Sequence, residues 1–237
     1  MNLLVVHGTR HAGGVAMLAQ LADRVSALVK RTVQVAFVDV LGPTPGEVLS
    51  SAAANGEPAV VLPAFLSRGY HVRADLPAHI AASGHPDVRV TPALGPSPQI
   101  VRIIGAQLVK SGWRQGDSVI LAAAGTSDRV ARADLCATAT RLSAVTRSRV
   151  ELAFAAGEPR VPEAVTRARR AGARRVVVAS YLLADGLFQD RLRTCGADVV
   201  TDPVGTNPGL VRLAATRFAR ARRRCAPPSP TPTTASV

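Results

Sequence analysis

The chain has 237 residues, 47% of them apolar, and a formal charge of +13. That length leaves room for two domains of ordinary size, and no run approaches the roughly 18–20 uninterrupted apolar residues that a membrane span needs. Aromatics are only 3% of residues and no basic stretch is interleaved with them for base stacking, which argues against nucleic acid as the partner.

Taken in chain order, short β-branched runs alternate with longer amphipathic stretches. In the first half the predicted strands are residues 3–6, 33–38, 59–62 and 88–90. Val15, Leu18, Leu21, Ala22, Val25, Leu28 and Val29 recur at helical spacing and predict a helix over 13–30. Helices are expected at 45–54, 74–82 and 98–110. The second half repeats the series, with strands at 118–123, 150–154, 175–179 and 198–200. Strict alternation of continuous apolar strands with helices argues for parallel sheets covered on both faces. The fold class expected is α/β, with two tandem duplicated domains, each an open four-stranded parallel sheet.

The duplication is visible in the residues. Gly8-Thr9 recurs as Gly125-Thr126, Ala36-Phe37 as Ala153-Phe154, Val60-Val61 as Val177-Val178 and Gly69 as Gly186, always 117 residues on. A constant offset signals repeated structure. It divides the chain into residues 1–112, residues 117–225, and a tail of 226–237 whose Pro, Ser and Thr content predicts disorder. The chain enters residues 3–6 without the basic start of a signal peptide, so a cytoplasmic protein is expected. Cys136, Cys195 and Cys225 are odd in number and far apart, which predicts reduced thiols.

At the same offset His7 aligns with Ala124 and His71 with Phe188. Packing alone gives no reason for both histidines to vanish together, so one chemical task kept in one half is the sharper reading. His7 closes the first strand, Asp39 follows the second, and His71 lies in the loop after the third. If the sheet order is 2-1-3-4, these three converge beyond the carboxyl ends of neighbouring strands, where open parallel sheets bind ligands. Two neutral imidazoles and a carboxylate can bind a divalent transition metal and accept protons. Arg10, Arg68 and Arg73 border that cleft and could pair with substrate carboxylates. His11 sits in the loop after the first strand, within reach of ligand or solvent, whereas His79 and His85 are expected at the surface. Glycine-rich dinucleotide, P-loop and nucleophile-elbow motifs are absent.

The charge has local sources. Arg217, Arg220, Arg222, Arg223 and Arg224 close the last helix, where cations suit its dipole, and Arg167, Arg169, Arg170, Arg174 and Arg175 surround another helix end. Solvated helix faces and an anionic ligand both account for such a surplus.

Leu-Leu-Val-Val-His-Gly-Thr-Arg at the start, Val-Ala-Phe-Val-Asp before Pro43, and the block Val-Val-Leu-Pro-Ala-Phe-Leu-Ser-Arg-Gly-Tyr-His-Val-Arg-Ala-Asp-Leu-Pro resemble the sirohydrochlorin chelatases. The resemblance spans residues 3–220. It implies insertion of Fe²⁺ or Co²⁺, as substrate, into a tetrapyrrole with eight carboxylates, in siroheme or cobalamin biosynthesis, with no permanently bound cofactor. It also implies His7 and His71 as metal ligands and proton acceptors, with Asp39 at a position where that family commonly has glutamate. The long members hold the macrocycle between two similar domains, so a monomer or homodimer would suffice, without membrane or nucleic acid. Phe188 is then expected to wall the macrocycle. A non-catalytic tetrapyrrole or metal carrier using the same cleft is the alternative.

Overall fold

The computed structural model describes residues 1–223. The end of the second domain expected at Cys225 and the tail expected to be disordered lie outside those residues. In order, the elements are β1 (Asn2–Val6), α1 (Ala12–Val29), β2 (Val33–Phe37), α2 (Pro45–Ala53), β3 (Ala59–Pro63), a π-helical turn (His71–Asp75), α3 (Leu76–Ser83), β4 (Val88–Val90) and α4 (Pro98–Lys110). The second half runs β5 (Ser118–Ala123), α5 (Arg129–Thr146), β6 (Val150–Phe154), α6 (Val161–Arg170), β7 (Val176–Tyr181), α7 (Leu187–Arg193), β8 (Val199–Val200) and α8 (Pro208–Arg223).

They form two parallel four-stranded sheets of order β2-β1-β3-β4 and β6-β5-β7-β8. The central strands β1, β3 and β7 are buried along their whole length, as their largely apolar sequences, interrupted only by Asn2 and Ser180, suit strands covered on both faces. The two halves are the same design to the level of single caps. Lys30 and Arg147 both end their helices in the left-handed conformation, and Ser26 Oγ and Ser143 Oγ both accept from the first amide of the next strand, Val33 and Val150. Each of these pairs is again 117 residues apart.

The last helix of each half crosses to the other sheet. α4 packs on α5 and β7, whereas α8 packs on α1 and β3. Leu4, Val6, Leu62, Val119, Leu121, Val177 and Phe218 consequently belong to one hydrophobic core, flanked by a smaller cluster on the outer face of each sheet. The two sheets are therefore joined by packed hydrocarbon, and the space between them has a fixed shape. By composition α1 alone among the described helices is long and apolar enough to cross a membrane. Its stripe of Leu18, Leu21, Ala22 and Val25 is buried in the core, and Asp23 and Arg24 on its other face are exposed.

The helix expected from residue 74 begins earlier and in a different form. His71, expected in a loop, opens the π-helical turn that leads into α3, with Leu76 N–H donating to His71 O. Pro77 in the first turn of α3 has no N–H to donate, and in the widened turn ahead of it the residue before the proline, Leu76, bonds back five residues to His71.

The shared core carries a measurable consequence. Phe218 is fully buried, whereas Val109 is 65% exposed. Chemical denaturation should find Phe218→Ala about 3–5 kcal/mol less stable than the parent, and Val109→Ala within about 0.5 kcal/mol of it.

Candidate active site

The carboxyl ends of β2, β1 and β3 lie side by side, with Val6 opposite Phe37 and Val5 opposite Pro63. The ladder continues past the strands: Val38 N–H donates to Val6 O at 3.0 Å and Asp39 N–H to His7 O at 3.2 Å. His7 and Asp39 are thereby fixed as neighbours. The chain then leaves the sheet at Gly8, whose φ is +98° and where any Cβ would collide with the Asp39 carbonyl oxygen, so the turn that frees both side chains requires glycine.

His71 arrives from the other side of β1. Its ring meets that of His7 edge-to-face, with centroids 4.9 Å apart and planes at 88°. Phe65 stacks on its face at 5.9 Å. His71 Nδ1–H donates to Asp75 Oδ2 at 2.8 Å, a carboxylate–histidine arrangement that sets the tautomer and leaves Nε2 with a free lone pair. His7 Nδ1 faces Gly8 O at 3.3 Å, and its Nε2 lies 3.9 Å from Asp39 Oδ2. That gap is too long for a hydrogen bond but about right for two donors sharing one ion. His7 and Asp39 are half-exposed or more, at 50% and 61%, so this edge is open. Among the described residues no cluster of three or more His, Cys, Asp or Glu side chains forms a ready-made metal cage; the two imidazoles are the core of the site, with Asp39 beside them.

The segment bearing His71 is held by the opposite half. Leu66 O accepts from Tyr181 Oη at 2.9 Å. The Asp134 carboxylate, almost wholly buried on α5, accepts from Arg68 N, Nε and Nη2 at 3.0, 3.0 and 2.6 Å. Arg73 Nη1 lies 3.8 Å from Asp128 Oδ1, and Gly69 packs against Ala131. Burial alone would raise the Asp134 pKa, but the Arg68 hydrogen bonds outweigh it and hold the carboxyl below its ordinary value. The same burial pushes the Tyr181 hydroxyl up to about 12, so it stays a proton donor to Leu66 O.

His7, Asp39 and His71 are thus brought together. Of the three arginines expected at the substrate, Arg68 is bound to Asp134, Arg73 stands near Asp128, and Arg10 is exposed without an ion pair among the described residues. His11 precedes α1 with its ring over Gly13. Phe188 packs against the outer cluster of the second sheet, with Arg191 over its ring. His79, expected at the surface, is mostly buried, 3.6 Å from Asp75 Oδ1. Sequence reading missed Asp75. Its signal was the i, i+4 series His71, Asp75, His79, which places all three on one helical face.

A family model described as CbiX matches residues 1–111 and again 118–221. The chain belongs to the CbiX family. Solved structures agree on the CbiX fold. SirB from Bacillus subtilis with Fe³⁺ superposes with a TM-score of 0.77 at 19% identity, covering 93% of this chain and 94% of that one. The sirohydrochlorin chelatase SirB from Bacillus subtilis subspecies spizizenii, in complex with cobalt, gives 0.77 at 20% identity over 94% and 95%. CbiX, the terminal enzyme of siroheme biosynthesis in denitrifying bacteria, gives 0.70 at 23% over 93% and 98%. No curated protein matches the chain significantly by sequence.

The brace on the histidine loop is open to test. Replacing Arg68 by Ala leaves the Asp134 carboxylate with only the backbone N–H of residue 68, and because the arginine side is 56% exposed the expected loss is about 1–3 kcal/mol. A carboxyl with a lowered folded-state pKa stabilises above its unfolded value, near 4, and ceases to do so as pH falls through the folded value. Urea titrations from pH 7 to pH 3 should therefore show the native and Arg68→Ala curves converging on acidification.

Proposed function

We propose that this protein inserts Fe²⁺ or Co²⁺ into sirohydrochlorin, the metal being a substrate rather than a resident cofactor. The observation that carries the reading is the His7–His71 ring pair, 4.9 Å apart on an open sheet edge, in a chain of the CbiX family. The neighbouring SirB and CbiX structures support it by what they bind and make.

Insertion requires an ion to be delivered and two pyrrole N–H protons to be removed at nearly one place. In this reading His7 Nε2 and His71 Nε2 hold the incoming ion briefly. Two imidazoles grip a divalent ion without enclosing it, and the four nitrogens of the macrocycle then outcompete them. Once the ion has moved, the freed imidazoles are bases at the position where the protons leave. Asp39, close to His7 Nε2, serves as a further donor to the ion or as an outlet for a proton. Asp75 acts through His71, keeping hydrogen on Nδ1 so that Nε2 faces the ion. The macrocycle lies in the cleft between the two sheets, with its carboxylates toward Arg10 and Arg73. Arg68 contributes by holding the loop through Asp134.

His7→Ala and His71→Ala should each lower the rate of insertion by at least about 100-fold, read from macrocycle absorbance with Fe²⁺ and Co²⁺ side by side. Full activity in both variants would overturn the proposal. Metal retained stoichiometrically on gel filtration, with no release of metallated product, would instead make the protein a carrier. Asp75→Ala should weaken Co²⁺ binding about 10–100-fold, followed by the visible spectrum of the ion, while the fold stays intact by circular dichroism.

A further inference from the structure

A cavity of about 580 Å³ lies along the seam between α4 and α8 and contains none of the insertion residues. Arg102, Arg212, Arg217 and Arg220 line it, over a floor that includes Ile103 and Leu213. We propose that this groove is a binding site for a small organic polyanion bearing phosphate or carboxylate groups.

Several arginines elsewhere among the described residues are tied to carboxylates. Arg68 pairs with Asp134, Arg169 with Asp198, Arg175 with Asp117 and Arg193 with Asp185. A second, smaller groove mixes Arg31, Arg89 and Arg222 with Glu57 and Asp87, so that most of its charge is offset by its own residues. The four guanidinium groups at the α4–α8 seam have no carboxylate or hydrogen-bond partner among the described residues, and no acidic side chain lines the groove. Arg217 Nε is buried with no acceptor among the described residues. An unmet buried donor on a charged group is costly, because it has lost its water without gaining an acceptor. Burial, with Arg220 close by, also lowers the Arg217 pKa from its ordinary value. The cluster therefore repels itself and lacks its counter-charge. The first residue of α8, Pro208, also lines the groove, bringing the positive end of that helix to the same place.

These features define the ligand by chemistry. Guanidinium forks match the paired oxygens of phosphate and carboxylate. The apolar floor suits a carbon skeleton, and the volume falls within the range of small-molecule sites, roughly 300–1,000 Å³. The four arginines thus act as receptors for the anionic groups, with Arg217 Nε supplied with its missing acceptor.

The test must separate this groove from the general attraction of a +13 protein. Calorimetric titration with inorganic triphosphate and, separately, citrate at 0.15 M salt compares the native chain with two doubly substituted proteins of equal charge. Arg102→Gln with Arg212→Gln removes two exposed arginines from the groove, and Arg170→Gln with Arg174→Gln removes two exposed ones elsewhere. The proposal expects saturable 1:1 binding that weakens about tenfold or more in the groove variant and less than about threefold in the control. Tighter triphosphate binding identifies a phosphate ligand, and tighter citrate binding a polycarboxylate. Equal weakening in both variants, or no saturable binding of either probe, overturns it. Metal insertion, measured on the same proteins, should be unchanged in both, which keeps this result separate from the proposed activity.

Discussion

Everything at the site hangs on β1 lying between β2 and β3 in parallel register. Parallel pairing makes the carboxyl ends of three strands coincide, and residues that are far apart in the chain become neighbours there without any contact chosen for that purpose. The two ladder bonds beyond β1 and β2 carry this register out to His7 and Asp39 themselves. A slip of one residue in either pairing would turn the alternate face of the strand upward and separate the imidazole from the carboxylate, leaving the fold intact and the site without its parts.

Duplication supplied that frame twice, and the two copies have diverged in what they do with it. In the second half the corresponding bonds run from Ala155 and Ala156 to Ala123 and Ala124, so the backbone of the site survives where no side chain can react. What that half offers instead is support. Asp134 and Tyr181 reach the loop that bears His71, whereas the residues at their equivalent positions in the first half, Met17 and Ala64, are apolar. At these two positions the polar ties therefore serve only the copy with the histidines, although Gln107 and Arg24 of the first half donate to backbone carbonyls of the second at Asp202, Pro203 and Thr206. Together with helices exchanged across a common core, they make the second half the rigid wall against which the first half is set.

Much of this was legible in the residues. Alternating apolar runs gave the elements and a constant offset gave the repeat; the loss of two histidines from one copy picked out the pair that the fold joins. The rest was hidden for physical reasons. Arg68 and Asp134 are 66 positions apart, in different halves, and no local pattern links them, so Arg68 read as a residue awaiting substrate. Asp75 went unassigned because the helix was expected to begin only at residue 74, leaving His71 in a loop ahead of it, where the spacing from His71 to Asp75 and His79 has no geometric meaning. Arg217 and Arg220 looked like complements to a helix dipole. Their meeting with Arg102 depends on α8 packing against α4, which only tertiary structure reveals.

The central claim is that two imidazoles, one just beyond β1 and one on the π-helical turn after β3, grip one ion. X-ray absorption at the cobalt edge, on protein loaded with one equivalent of Co²⁺, addresses it without reference to turnover. The account predicts two imidazole nitrogens in the coordination shell of the native protein and one in either His7→Ala or His71→Ala. An unchanged shell in both variants would place the ion elsewhere and contradict the account.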